Sequence, residues 1–152
     1  MAPFIVLVGS FAILETLSLA GWLGASAGWT LPLRIALALM FLLTAGAHWG
    51  KRRPDLVRMV PPRLGNAERW VSVTGVLELL GAIGLVLPSR PIVAAAALGL
   101  TLLLLALFPA NVHAARSGLT LGGKPVTPLV PRMLLQALFL AATTAVLVAT
   151  VL

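Results

Sequence analysis

Five long apolar stretches constrain what this chain can fold into more than any other feature. They lie at residues 4–23, 31–49, 70–87, 91–112 and 131–152. A helix needs about 20 mostly apolar residues to cross a hydrocarbon core of roughly 30 Å. Helices also satisfy their own backbone groups in lipid, where no water can do so. The sequence therefore predicts an all-α membrane protein, with residues 1–152 forming a single transmembrane domain.

The composition favours the same environment. Hydrophobic residues make up 60% of the chain and charged residues 10%, against roughly 45–50% and 25% in soluble proteins. The net charge of +7 is carried by basic residues that lie between the apolar stretches. A nucleic-acid binder would gather them on one polar face with stacking aromatics. We therefore expect membrane lipids as partners and no nucleic acid.

The basic residues also predict the orientation. Two connections and their edges carry nine of the eleven basic residues: Lys51, Arg52, Arg53, Arg58, Arg63, Arg69, Arg116, Lys124 and Arg132. The other connections carry Arg34 and Arg90. Because loops rich in Lys and Arg remain in the cytoplasm, the sequence predicts a cytoplasmic N-terminus and an external C-terminus. The expected location is the plasma membrane, the inner membrane of a bacterium.

Three local patterns refine this organisation. Ala25-Ser26-Ala27 resembles a signal-peptidase site, but no Lys or Arg precedes it and Glu15 interrupts the apolar stretch. These features favour a retained first helix over a cleaved signal. Residues 54–60 could form a short interfacial helix that Pro61-Pro62 ends. Residues 119–124 could form a tight hairpin.

Glu78 is the strongest candidate functional residue. At 1.5 Å per residue it lies about 12 Å inside the third stretch, where an unpaired carboxylate is most costly and most often functional. Thr74, Gly75, Gly81 and Ala82 share its helix face. Small residues allow a second helix to approach closely. We therefore expect Glu78 to face protein, with Thr74 beside it.

Four more polar side chains are predicted in the same half of the membrane. His48 ends the second stretch, Asn111 ends the fourth after Pro109, and Arg132 and Gln136 open the fifth. They could turn with Glu78 toward one cavity. The alternative for His48 and Arg132 is snorkelling to headgroups. Asn111 and Gln136 could instead satisfy freed backbone groups or join two helices.

The remaining charged groups and the missing residue types limit the chemistry. Glu15 could be a site member or a helix-packing partner, and Arg34 could snorkel or reach inward to a carboxylate. The chain has no cysteine, which excludes disulfides, thiolate metal sites and an internal dithiol relay. Its two histidines and four acidic residues do not form a metal-binding pattern. No catalytic residue and no metal site is predicted.

Several short motifs resemble the DoxX-like family of membrane proteins. They are RIALALMF at residues 34–41 with Gly46 and His48, MVPP at 59–62, TGVLELLGA at 74–82, FPANVH at 108–113 and PRMLLQ at 131–136. The resemblance spans residues 31–152. It implies an antiparallel four-helix core, to which residues 4–23 would add one peripheral helix.

The resemblance also implies a function. Members of the DoxX-like family include the small membrane subunit of thiosulfate:quinone oxidoreductase, and more distant relatives are assembly factors. Carried across, it marks His48, Glu78, Asn111, Arg132 and Gln136 as the shared site. The absence of cysteine argues against a thiol-exchange version of that activity.

These observations lead to two main hypotheses. In the first, the protein is a small subunit that binds a quinone or lipid-like ligand through His48, Glu78, Asn111, Arg132, Gln136 and Thr74, with the electron source on a membrane redox partner. In the second, it is a non-enzymatic assembly factor or scaffold. Self-association would use small-residue faces such as residues 94–97. A small transporter is disfavoured, because no internal repeat is visible.

Overall fold

Long helices dominate the fold. The computed structural model describes residues 1–23, 28–121, 123–125 and 127–152. The five long helices are α1 (Ala2–Leu19), α2 (Thr30–Ala47), α4 (Ala67–Val86), α5 (Arg90–Arg116) and α6 (Leu129–Val151), and α3 (Arg53–Met59) is short. Each long helix is long and apolar enough to cross a membrane. The sequence Ala25-Ser26-Ala27 lies outside the described residues.

The ends of the helices follow from local sequence. Prolines occupy the first turns of α1, α3 and α5, where a missing N–H costs nothing. Asn66 caps α4 by accepting a hydrogen bond from the Arg69 amide at 3.0 Å. The prediction that α5 ends near Asn111 is wrong, because it continues through Pro109 to Arg116. Pro109 removes one N–H, a loss that a 27-residue helix packed along its neighbour tolerates.

Four of the long helices form an antiparallel core. At one end, Arg34 of α2 reaches Leu85 near the end of α4. Gly84 of α4 faces Ala96 near the start of α5, and Thr101 of α5 bonds to Thr143 of α6. Helix α2 also touches α6, whereas α1 packs chiefly on α2. Helix α1 therefore contributes little to the core of the described residues.

The distribution of buried and exposed side chains follows from this packing of the helices. The buried apolar core of the described residues comes from α2, α4, α5 and α6, with Leu7 as the contribution of α1. Large apolar side chains such as Ile13, Leu80 and Leu102 are exposed on the outer faces. Helices that are apolar on both sides are typical of a bundle surrounded by lipid. The fold is thus compatible with a membrane location.

The connections that carry most of the basic residues lie at one end of the bundle, here called the basic end. Helix α3 lies there against α4, α5 and the first strand of a hairpin. The hairpin consists of β1 (Thr120–Leu121) and β2 (Lys124–Pro125), paired antiparallel with Thr120 opposite Pro125. The predicted short helix and tight hairpin are both present. A single 3-10 turn at Pro62–Leu64 follows α3.

Glycines set the distance between α4 and its neighbours. A Cβ added to Gly84 would lie 2.7 Å from the Ala96 Cβ, and one added to Gly81 would lie 2.5 Å from the Leu100 side chain. Both distances are below any real Cβ contact, so α4 and α5 can pack this closely only because these positions lack a side chain. Gly99, in contrast, has open space around it.

We expect Gly84→Ala to destabilise the protein, because its new methyl group must push α5 away. Overpacking of this kind costs about 1–3 kcal/mol, which exceeds the gain of at most about 1 kcal/mol in helix propensity. Gly99→Ala is the matched control and should leave stability unchanged or raise it. Thermal unfolding of both variants in detergent would check this. Equal stability of the two variants would contradict the close packing described for Gly84.

Candidate functional site

Glu78 lies in the middle of α4 and is 5% exposed. It is eleven residues beyond the start of α4 at Ala67, which places it about 16 Å along the helix. One of its carboxyl oxygens, Oε2, is buried and has no hydrogen-bond partner among the described residues. A buried polar atom without a partner is rare and costly, so this oxygen calls for a physical explanation.

His48 faces Glu78 from the end of α2. Its Nδ1 lies 3.9 Å from the Glu78 Oε2, which is too long for a hydrogen bond. That nitrogen donates instead to the Thr44 carbonyl at 2.9 Å, since a carbonyl can only accept. The Thr44 hydroxyl donates to the Phe41 carbonyl of its own helix at 3.1 Å. The Nε2 of His48 enters none of the described hydrogen bonds.

Gly75 allows the imidazole and the carboxyl to meet. A Cβ at this position would lie 2.7 Å from the His48 Cβ and 2.9 Å from the Trp49 ring. Any other residue would therefore push α2 away from α4. The Trp49 ring lies 6.2 Å from the imidazole, tilted by 52°, and is 51% exposed. Trp49 thus forms the border between the buried pair and the surface of the bundle.

Arg53 holds the end of α2 that carries His48 against α4. It donates to the His48 carbonyl at 2.8 Å and to the Ser72 hydroxyl at 2.9 Å. It also donates to the Glu68 carbonyl at 3.3 Å. These bonds tie the end of α2 to the first turns of α4. Because these bonds use backbone and hydroxyl oxygens, none of them reaches the Glu78 carboxyl.

A second polar group joins α5 to α6. Arg132 donates to the Asn111 Oδ1 at 2.7 Å, and the Asn111 amide donates to the Gln136 Oε1 at 3.0 Å. Gln136 in turn donates to the Leu104 carbonyl at 2.5 Å. Each of these amides is satisfied within the protein. The side chain that bonds to the backbone of α5 before Pro109, at the Leu104 carbonyl, is therefore Gln136 and not Asn111.

The predicted site residues therefore form two groups. His48 lies with Glu78 between α2 and α4, and Asn111 lies with Arg132 and Gln136 between α5 and α6. No described hydrogen bond joins the two groups, and the convergence of all five side chains on one cavity stays a prediction. Thr74 belongs to neither group, because its hydroxyl donates to the Trp70 and Val71 carbonyls of its own helix.

Two charged residues elsewhere have open alternatives from the sequence, and the structure decides the one for Arg34. Arg34 neither snorkels nor reaches a carboxylate: it donates to the Leu85 and Leu87 carbonyls at 2.7 and 2.8 Å. It thereby caps α4, where the helix dipole favours a cation. Glu15 lies on α1 and has a buried Oε2 without a partner among the described residues, and its role stays open.

Sequence reasoning missed three contributors to these polar groups. From sequence, Arg53 is one of several basic residues in a connection, and Trp49 is only the end of the second apolar stretch. The buried bond between Thr101 and Thr143, at 2.9 Å, extends the α5–α6 contact toward the other end. A signal for it exists, because Thr143 lies seven residues after Gln136 and so shares its helix face.

The His48–Glu78 pair between α2 and α4 offers one hydrogen-bond acceptor and one titratable ring. The unsatisfied Oε2 of Glu78 can accept a hydrogen bond, and the free Nε2 of His48 can accept or donate one according to its protonation. In the described part of the chain, no group of three or more His, Cys, Asp or Glu side chains could hold a metal ion. The arrangement is suited to binding a polar group.

The fold and the buried polar groups define a helical protein whose five long helices can cross a membrane. The family model for a domain of unknown function, DUF8561, matches residues 37–149. The chain therefore belongs to the DUF8561 family. Searches of curated proteins and of solved structures found no match in either.

This family membership corrects the resemblance to DoxX-like proteins, which was wrong, since DUF8561 is the family that matches. The physical reason lies in the motifs themselves. Prolines near helix ends, small residues on packing faces and a polar residue at a membrane boundary are general requirements of membrane helices. Short motifs built from them recur in unrelated families.

We expect Asn111→Ala to destabilise the α5–α6 contact. The variant would leave the Arg132 guanidinium and the Gln136 Oε1 without their partner, at a cost of about 1–3 kcal/mol. His113→Ala, two residues further along α5, is the control, because the one hydrogen bond of its ring among the described residues is that with the Ser117 hydroxyl at 3.4 Å. Thermal unfolding in detergent would measure both. A similar loss in the two variants would contradict a specific role for Asn111.

Proposed function

We propose that this protein is an integral membrane protein that binds the polar head of a lipid-like molecule beside His48 and Glu78. The observation that carries the proposal is the buried Oε2 of Glu78, which lacks a hydrogen-bond partner among the described residues. A ligand with a hydroxyl or amine group would donate to this oxygen. Its apolar part would remain among the apolar faces of the bundle.

The surroundings of Glu78 support a binding role over a purely structural one. A carboxyl that serves only to join two helices is expected to bond to the facing helix. Here the facing His48 donates its Nδ1 proton to the Thr44 carbonyl of its own helix. The close approach of the two helices already follows from the missing side chain at Gly75. By contrast, the α5–α6 group satisfies its own amides, so we assign it a structural role.

Trp49 supports an entry route from the lipid. Its ring contacts the Gly75 position from the α2 side and leaves half of its surface exposed. Tryptophan combines an apolar body with a polar N–H and is favoured where membrane and water meet. A ligand head would pass this ring to reach His48, while its tail would stay in the bilayer.

A quinone is one member of this ligand class. Its carbonyl oxygens would accept hydrogen bonds, so they would require the protonated carboxyl or the donor form of His48. The expectation of a quinone and of a redox partner rested on the resemblance that the family match overturned. We therefore propose a class of polar head group, and we name neither a particular compound nor a reaction.

Replacing Glu78 by Gln should remove a bound amphiphile, because the amide changes the charge and the hydrogen-bonding pattern at the buried oxygen. Native mass spectrometry of the gently solubilised full chain, with lipid and quinone extraction, would measure retention and identify the molecule. We expect at least a tenfold loss, equivalent to about 1.4 kcal/mol of binding free energy. Glu15→Gln is the matched control, since its Oε2 is also buried and unpartnered.

Loss of a co-purifying membrane protein with unchanged retention of small molecules would instead support the scaffold alternative. One observation favours that second candidate: Ala95 and Gly99 lie one helical turn apart on the exposed face of α5. Small residues at this spacing let a partner helix approach. The expected docking face at residues 94–97 is only partly available, because Ala97 is fully buried and Ala96 packs on Gly84.

The proposed orientation places the basic end in the cytoplasm, as the distribution of Lys and Arg supports. Because the chain has no cysteine, single cysteines report topology cleanly. Ser117→Cys, at the basic end, should react with a membrane-impermeant maleimide only after cells are permeabilised. Ser89→Cys, in the connection at the opposite end, should react in intact cells. The reverse pattern would invert the proposed topology.

A further inference from the structure

A polar cavity of about 110 Å³ lies at the opposite end of the bundle from the basic end. Its polar wall is formed by Thr30 at the start of α2, Arg34 one turn later, Arg90 at the start of α5, and Thr150 near the end of α6. A single ordered water needs only about 15 Å³. The cavity therefore has room for a polyatomic group, and it is separate from the His48–Glu78 pair.

The two charged side chains that line this cavity, Arg34 and Arg90, are both basic. Neither Arg34 nor Arg90 forms an ion pair with any carboxylate in the part of the chain that the structure describes. Of the four acidic residues of the chain, Asp55 and Glu68 lie near the basic end, Glu78 lies in mid-helix and Glu15 lies on α1. Two guanidinium groups that face one cavity repel each other, and a bound anion would offset that repulsion.

Helix dipoles do not cancel these charges. The ends of α4 and α6 and the starts of α2 and α5 all lie around the cavity, and each end carries about half an elementary charge. The two negative ends and the two positive ends therefore balance, so the dipoles do not offset the two guanidinium groups among the lining side chains. The Arg34 Nε and one of its terminal nitrogens already cap α4, so its other terminal nitrogen is available.

Hydrogen-bond donors converge on the same space. Helices α2 and α5 begin without a side-chain cap, so the first-turn amides at Thr30 and Arg90 have no intrahelical acceptor. The Thr30 hydroxyl and the Arg90 guanidinium enter none of the described hydrogen bonds. The Thr150 hydroxyl donates to the Val146 carbonyl at 2.7 Å and so contributes polar surface rather than a donor.

We infer that this cavity binds a phosphate group or a similar oxyanion, held by Arg34 and Arg90 with the first-turn amides of α2 and α5. Arginine forks match the geometry of phosphate oxygens, and the amides at a helix start add fixed donors. The same chemistry is present in a phospholipid headgroup and in free inorganic phosphate. Either source would enter from the membrane surface opposite the basic end.

The test uses the purified full chain and Arg90→Gln, because Arg90 is exposed and its loss should not disturb folding. Arg116→Gln, an exposed arginine at the basic end, is the matched control. One arm measures retention of phosphatidylglycerol against phosphate-free diacylglycerol by native mass spectrometry. The other measures the melting temperature in inorganic phosphate against chloride at equal ionic strength. Arg90→Lys would show whether charge alone suffices.

We expect Arg90→Gln to lower retention of phosphatidylglycerol, or the affinity for phosphate, about tenfold, as the loss of one charge-assisted hydrogen bond should. Arg116→Gln should match the wild type, and Arg90→Lys should bind with an intermediate affinity. Preference for phosphatidylglycerol alone would identify a lipid headgroup as the ligand, and a melting shift alone would identify free phosphate. If neither probe separates Arg90→Gln from the wild type and Arg116→Gln, the inference is wrong.

Discussion

The close approach of α2 and α4 at Gly75 is the contact on which the candidate site depends. Without a side chain at this position, His48 and Trp49 can lie directly against α4, one turn from Glu78. The carboxyl is thereby enclosed, and its Oε2 has no hydrogen-bond partner among the described residues. Arg53 holds the end of α2 in place through backbone and hydroxyl oxygens. The pair is thus positioned by helix packing and capping, which leaves its own polar atoms available.

The two ends of the bundle use arginine in different ways. At the basic end, Arg53 ties α2 to the start of α4, and Arg132 completes a chain of amides between α5 and α6. At the opposite end, Arg34 caps α4 and, with Arg90, faces a cavity that contains no described carboxylate. The arginine guanidinium groups, whose charge would be costly in lipid, therefore either donate to oxygens of the protein or face a space suited to an anion.

Much of the fold could be predicted from sequence, because apolar length and prolines act locally. The five long helices, the short helix after Arg53 and the hairpin near Gly123 all follow from such patterns. The grouping of the polar residues could not be predicted, since it depends on which helices are neighbours and how they are rotated. His48 and Gln136 both lie toward the basic end, yet they face different contacts. The family could not be predicted from short motifs that many membrane helices share.

The most direct test of the proposed binding role is photocrosslinking from position 49, where the Trp49 ring borders the buried pair. A benzophenone amino acid at this position, irradiated in native membranes, would be read by mass spectrometry of the full chain. Binding of a lipid-like ligand predicts a discrete small-molecule adduct at position 49 that disappears in Glu78→Gln and is absent from a probe at the exposed Leu80. Crosslinks only to another protein, or the same bulk lipids at both positions, would contradict it.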